Sequence, residues 1–221
     1  MRWGVAILAA ALVSAVPAGA LAESLPFWPM PDGLQVTPIA DEMRLNGVPV
    51  RIGLVSGVVS ERRFREEMER SCQRERGRFQ ENSLGMKQLW SCIHEPFSQT
   101  VQWRREGDRI VGEISTLRMD AKPRQSPLPT PLPDGAELVS DLESRDGDLR
   151  GRVLMVDSLL SVPQLRTALL REAQARGWKP TAPLSEKLGR LSLRKPKESL
   201  DVAFPAGSAG GSRAVIVWQN R

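Results

Sequence analysis

The chain states one pattern twice. Pro31-Asp32-Gly33 recurs as Pro133-Asp134-Gly135, 102 positions on. Asn46-Gly47 is answered by Asp146-Gly147, Ser60 by Ser161, Gly77 by Gly177 and Pro96 by Pro196, at offsets of 100 or 101. Turn formers that recur in one order at nearly one spacing imply that the same run of elements is built twice. The apolar positions agree with them independently. Phe64, Met68 and Cys72, spaced four apart, form a narrow stripe on an otherwise charged helix, and Leu165, Leu169 and Ala173 match them at an offset of 101.

The expected fold class is therefore α+β, with two tandem ββαβββ modules at residues 31–119 and 133–221, each an antiparallel sheet with one packed helix. In the first, residues 34–45 read as a strand disturbed near Pro38, and Asn46-Gly47 is a strong hairpin signal. Val48, Val50, Ile52 and Leu54 then alternate as a half-buried strand. Ser60 caps the helix and Gly77 stops it, with strands near 88–94, 97–104 and 109–119. The second module repeats this, with strands at 137–145 and 149–157, and a helix opened by Ser161 and Pro163 and stopped at Gly177. Strands near 188–194, 199–204 and 214–218 complete it, the last two separated by a Gly/Ser-rich turn at 207–212. Such a pair suits either two beads or one joined sheet.

Two proline-rich stretches flank the first module. Residues 23–30 form an extended arm, and residues 120–132 a semi-rigid linker, since residues 121–133 hold five prolines. The arm carries Phe27-Trp28, the candidate partner-binding pair: two aromatics on a stiff segment, free to enter a partner groove or to fold back on their own domain.

Residues 1–22 read as a secretory signal peptide, with Arg2, an apolar core over 5–16, and Ala20-Leu21-Ala22 as the cleavage site. That core is shorter than the roughly 20 residues a spanning helix needs, so the expected mature chain has no transmembrane segment and is periplasmic or secreted. In that setting Cys72 and Cys92 are expected to form one disulfide, closing a loop of about 20 residues.

The charge pattern argues against nucleic acid. Lys and Arg number 31 against 26 Asp and Glu, but they are interleaved rather than gathered in a stripe. Catalytic signatures are thin. His94 is the only histidine, and the expected disulfide removes the nearby thiol as its partner. There is no G-x-S-x-G elbow. The carboxylate groups Asp41-Glu42, Asp141 with Glu143, and Asp146 with Asp148 mostly fall in predicted turns, and solvation is the expectation for them. Neither a metal nor a cofactor is expected. The function that follows is an exported, non-enzymatic cell-envelope protein that acts as a binding or assembly scaffold for another envelope protein, accessory to a secretion or surface-appendage system. A periplasmic small-ligand or lipid-binding protein is the alternative, and an envelope hydrolase built on the scattered carboxylates a third.

Overall fold

A computed structural model describes residues 25–181, 189–205 and 211–220. The expected signal peptide and residues 207–210 of the Gly/Ser turn lie outside the described residues. Leu34–Pro38 (β1) and Glu42–Leu45 (β2) lie end to end along Val48–Gly57 (β3), separated by the break that Pro38 introduces. Then come Glu61–Arg74 (α1), Arg78–Leu84 (β4), Lys87–His94 (β5), Phe97–Glu106 (β6) and Arg109–Arg118 (β7). The chain continues through Ala136–Asp146 (β8), Leu149–Ser158 (β9), Val162–Ala175 (α2), Lys179–Pro180 (β10), Arg190–Lys195 (β11), Glu198–Ala203 (β12) and Ser212–Asn220 (β13).

The protein is α+β with the sheet dominant: its strands pair antiparallel in the order β10-β11-β12-β13-β9-β8-β2-β3-β7-β6-β5-β4, with β1 beside β3. The two halves are one joined sheet, welded where β2 pairs with β8. Each helix is followed by one more strand than the sequence pattern predicts, β4 and β10. Both are edge strands, and an edge strand with one covered face can be almost wholly polar. In Arg78–Leu84 only Phe79 turns a large ring toward the core.

The registers of the two halves coincide. Moving both partners by 101 turns Met43–Val50 into Ser144–Gly151, Cys92–Gln99 into Leu193–Leu200, and Arg78–Ile93 into Lys179–Arg194. The same shift corrects one sequence match. The second hairpin closes between Asp146 and Leu149, so its turn is Gly147-Asp148 rather than Asp146-Gly147.

Helix ends differ instructively. Ser60 accepts the Arg63 N–H at 3.3 Å, while Gln164 Oε1 reaches back to the Ser161 N–H at 2.9 Å. Gly177 ends α2 at φ +83°, as a C′ glycine should. In α1 the left-handed residue is instead Arg76, at φ +56°. Gly77 is there for space: a Cβ on it would fall 2.5 Å from Cys92 Sγ and 2.8 Å from Cys72 Sγ.

Directly paired residues share a sheet face. The row Pro49–Arg44–Glu143–Arg152 therefore places Val55 of the first half and Leu154 of the second on the same side. Both helices pack on that side. The first core is aromatic, with Phe64 4.8 Å from Trp90, which lies 4.9 Å from Trp103. The second is aliphatic, built from Leu154, Leu165, Leu169, Leu193, Leu200 and Ile216 around Trp178.

The two proline-rich stretches are straps across this same face. Arg51 donates to the Leu25 carbonyl and Thr116 to that of Pro26, each at 2.7 Å. The second stretch is no free spacer. Arg152 donates to Pro127 O at 2.7 Å and Ser126 O at 3.1 Å, Trp178 to Pro129 O at 3.3 Å, and Thr130 is buried. Proline makes the stretch extended, and the carbonyls that it leaves unpaired are met by the side chains of Arg152 and Trp178.

Candidate functional site

Between the two helix-covered halves the shared face is bare, and a cleft of about 460 Å³ opens there. Its floor is two rows of side chains that cross the weld. One row runs Arg44–Glu143–Arg152–Trp218, the other Glu42–Arg145–Arg150. Ser126, Pro127 and Pro129 of the second strap form a wall. No helix covers these positions, which lets them carry charge, whereas Leu154, Val156 and Ile216 further along the same strands pack under α2.

Arg152 anchors the floor. It is 5 % exposed, and its guanidinium meets Asp141 in a fork, Nε to Oδ1 at 2.8 Å and Nη2 to Oδ2 at 2.6 Å. Glu143 Oε1 lies 3.3 Å from Nη2, while its Oε2 accepts the Ser126 hydroxyl at 3.1 Å. Burial works against the charge of Arg152, but the hydrogen bonds and field of Asp141, with Glu143 behind them, outweigh it and raise the pKa above the ordinary guanidinium value. Asp141 thus lies on the strand expected over 137–145, but buried rather than solvated. Its counter-ion, Arg152, lies across the hairpin.

The remaining cations are less committed. Arg44 donates to Gly47 O at 3.2 Å and Arg145 to Gly147 O at 3.1 Å. Arg145 and Arg150 stand directly opposite each other, both exposed, and neither is in an ion pair among the described residues. Trp218 offers a half-buried ring held by its Nε1–H donating to Glu198 at 2.8 Å.

The disulfide pair, the aromatic pair and the histidine singled out from sequence lie elsewhere, in the first half, whereas Glu42, Asp141 and Glu143 of the carboxylate groups come together at the cleft. Cys72 and Cys92 are joined in a disulfide. Trp28 is 1 % exposed inside the first core, and Phe27 is half-buried with the Arg51 guanidinium 4.0 Å above its ring. The pair has folded back on its own sheet. His94 lies 3.3 Å from Gln99 Oε1, in a polar row that leads through Thr116 to the strap. Ser192-Leu193-Arg194-Lys195 carries the serine-lysine spacing of some hydrolases. On a strand, however, positions three apart face opposite sides, and Lys195 is spent 4.6 Å above the Trp178 ring. Among the described residues no group of three or more His, Cys, Asp or Glu is placed to hold a metal, and no helix is long and apolar enough to cross a membrane.

Sequence reasoning missed the cleft because none of its residues forms a motif. One signal was available: Arg51 and Arg152 recur at the repeat spacing, as do Glu42-x-Arg44 and Glu143-x-Arg145. No known protein family matches the chain, and neither a curated protein nor a solved structure resembles it.

Proposed function

We propose that the chain is an exported, non-catalytic binding scaffold of a bacterial cell envelope, built from two copies of one strap-plus-ββα module and accessory to an assembly such as a secretion or surface-appendage system. The observation that carries this reading is the cleft at the weld: open, charged and placed between both halves. Ser126 is the hydroxyl nearest its carboxylates, and it is engaged with Glu143.

The module boundaries follow from the 101-residue register, extended to include the straps. On this proposal each unit comprises a proline-rich strap, a hairpin, a helix and the strands after it, and residues 120–132 are the strap of the second unit rather than a linker. A small-ligand or lipid-binding role has less support. Both cores are filled by their own side chains, and an open cleft does not bury a small molecule as ligand pockets do.

The test is crosslinking in living cells followed by capture of the tagged mature protein from its native envelope. One or a few envelope proteins should be recovered, in wild type and not in the R145E/R150E variant. Recovery of none at native expression overturns the scaffold. N-terminal sequencing of the same material checks export, with cleavage after Ala22 as the expected result.

A further inference from the structure

We infer that the cleft binds a short, extended, acidic segment of a protein partner, its carboxylates seated on Arg145, Arg150 and Arg44 and a neighbouring apolar residue lying on Trp218 and the strap prolines. The inference rests on the scaffold reading and names what that scaffold holds.

Like charges directly opposite on paired strands are unfavourable, and Arg145 against Arg150 is such a pair. Glu42 stands opposite Arg145 on its other side and offsets one charge of the two. The remaining acids near this end do not face the cleft floor. Asp41 is engaged with the Gly147 N–H at 3.2 Å, Asp146 falls on the other sheet face by alternation, and Asp148 is in the turn. Arg152, by contrast, is satisfied from within by Asp141 and Glu143 and serves to hold the floor. The cleft therefore presents guanidinium forks whose geometry matches carboxylates.

The two halves differ at this place. The positions equivalent to Arg150 and Trp218, by the shifts that superimpose their strands, are Pro49 and Thr116. The second cation and the aromatic ring are thus features of one half only. An extended occupant suits the shape, because the cleft is open and its wall is itself a stretch of extended chain. Proline and tryptophan walls against arginine forks favour an acidic segment that carries a proline or aromatic residue.

The experiment uses the mature full-length protein and a fluorescein-labelled hexapeptide, Glu-Pro-Glu-Phe-Asp-Pro, read by fluorescence anisotropy. Saturable binding that weakens with salt is expected, with a loss of about tenfold or more in R145E/R150E and little change in the exposed control R105E. Circular dichroism of the variants separates lost binding from lost folding. A Lys-for-acid version of the peptide should not compete. Inorganic phosphate or anionic vesicles competing better than the acidic peptide would overturn the inference in favour of a phosphate site, and equal loss in R105E would reduce it to general charge attraction. The two proposals fail separately. Envelope partners captured equally by wild type and R145E/R150E would sink the acidic-segment site and leave the scaffold standing. Peptide binding without any captured partner would do the reverse.

Discussion

Replacing Arg152 with methionine should be among the most damaging single changes on the sheet. Met keeps much of the length of a residue that is 5 % exposed but removes the guanidinium, which makes the Asp141 fork and the bonds to Ser126 O and Pro127 O. What remains is a carboxylate, Asp141, that is 8 % exposed with its counter-ion gone. Removing one partner of a buried ion pair costs about 3–5 kcal/mol, because the other charge stays buried and unpaired. At about 2–4 °C per kcal/mol for a chain of this size, the thermal midpoint should fall by roughly 6–20 °C. The assay is urea unfolding followed by tryptophan fluorescence, with calorimetry for the midpoint. The companion variant R152M/D141L replaces both charges with apolar groups and should recover most of the loss, since a buried pair is worth little against well-packed hydrophobic residues. A cost below about 1 kcal/mol for R152M alone would refute the reasoning, because it would mean that Asp141 is solvated. So would a double variant that is no better than the single.

Further results are expected at the disulfide and at Asp157. Losing the disulfide in C72A/C92A should cost about 3 kcal/mol by the loop-entropy estimate; C72A/C92L, which copies the Ala173–Leu193 pairing of the second half, should recover part of it, and G77A should destabilise the oxidised protein more than the reduced one, all read by urea unfolding. The fork from Arg213, with bonds of 2.6 and 2.7 Å, lowers the Asp157 pKa below the usual 3.8, so its contribution to stability is present above that value and lost as pH falls through the lower folded midpoint; NMR titration of the carboxyl carbon should show the depressed midpoint, and R213Q should return it toward the usual value.

The sequence announces the fold most clearly where backbone conformation is special. The Asn46-Gly47 hairpin, both helix caps and the Phe64, Met68 and Cys72 stripe with its counterpart all sit where turn chemistry and period place them. It is silent where a residue's role depends on something distant in the chain. Gly77 and Gly177 are indistinguishable as letters, yet one makes room for a disulfide and the other supplies a left-handed turn. Prolines at 123–133 announce extended chain but not the Arg152 and Trp178 donors that pin it. Edge strands β4 and β10 lack the alternation of a central strand, because one neighbour and much of one face are solvent. The cleft was the least legible part. Its charges look like any solvated face until the register sets them in rows.

The weld itself constrains how such a cleft could arise. Met43 pairs with Ser144, the residue 101 positions later, so the local two-fold axis runs through that pair. On either side Glu42 meets Arg145 and Arg44 meets Glu143, and each of these pairs is the other under the same shift. That is the reciprocity of an isologous dimer interface, made within one chain. In a true homodimer every change at this strand would appear twice, and an arginine gained beside the axis would be gained on both sides, doubling the like-charge cost. A single chain removes that restriction. Pro49 stays small and neutral while its counterpart is Arg150, Thr116 stays a buried hydroxyl while its counterpart is Trp218, and Phe27 lies over Gly53 where Pro129 and Leu154 stand in the other half. On the duplication proposed above, covalent linkage let one half keep its aromatic, disulfide-stapled core while the other acquired the charged, open cleft. The asymmetry is therefore the place to look for function, and it points to residues 145, 150 and 218 rather than to the cysteines, the histidine or the aromatic arm.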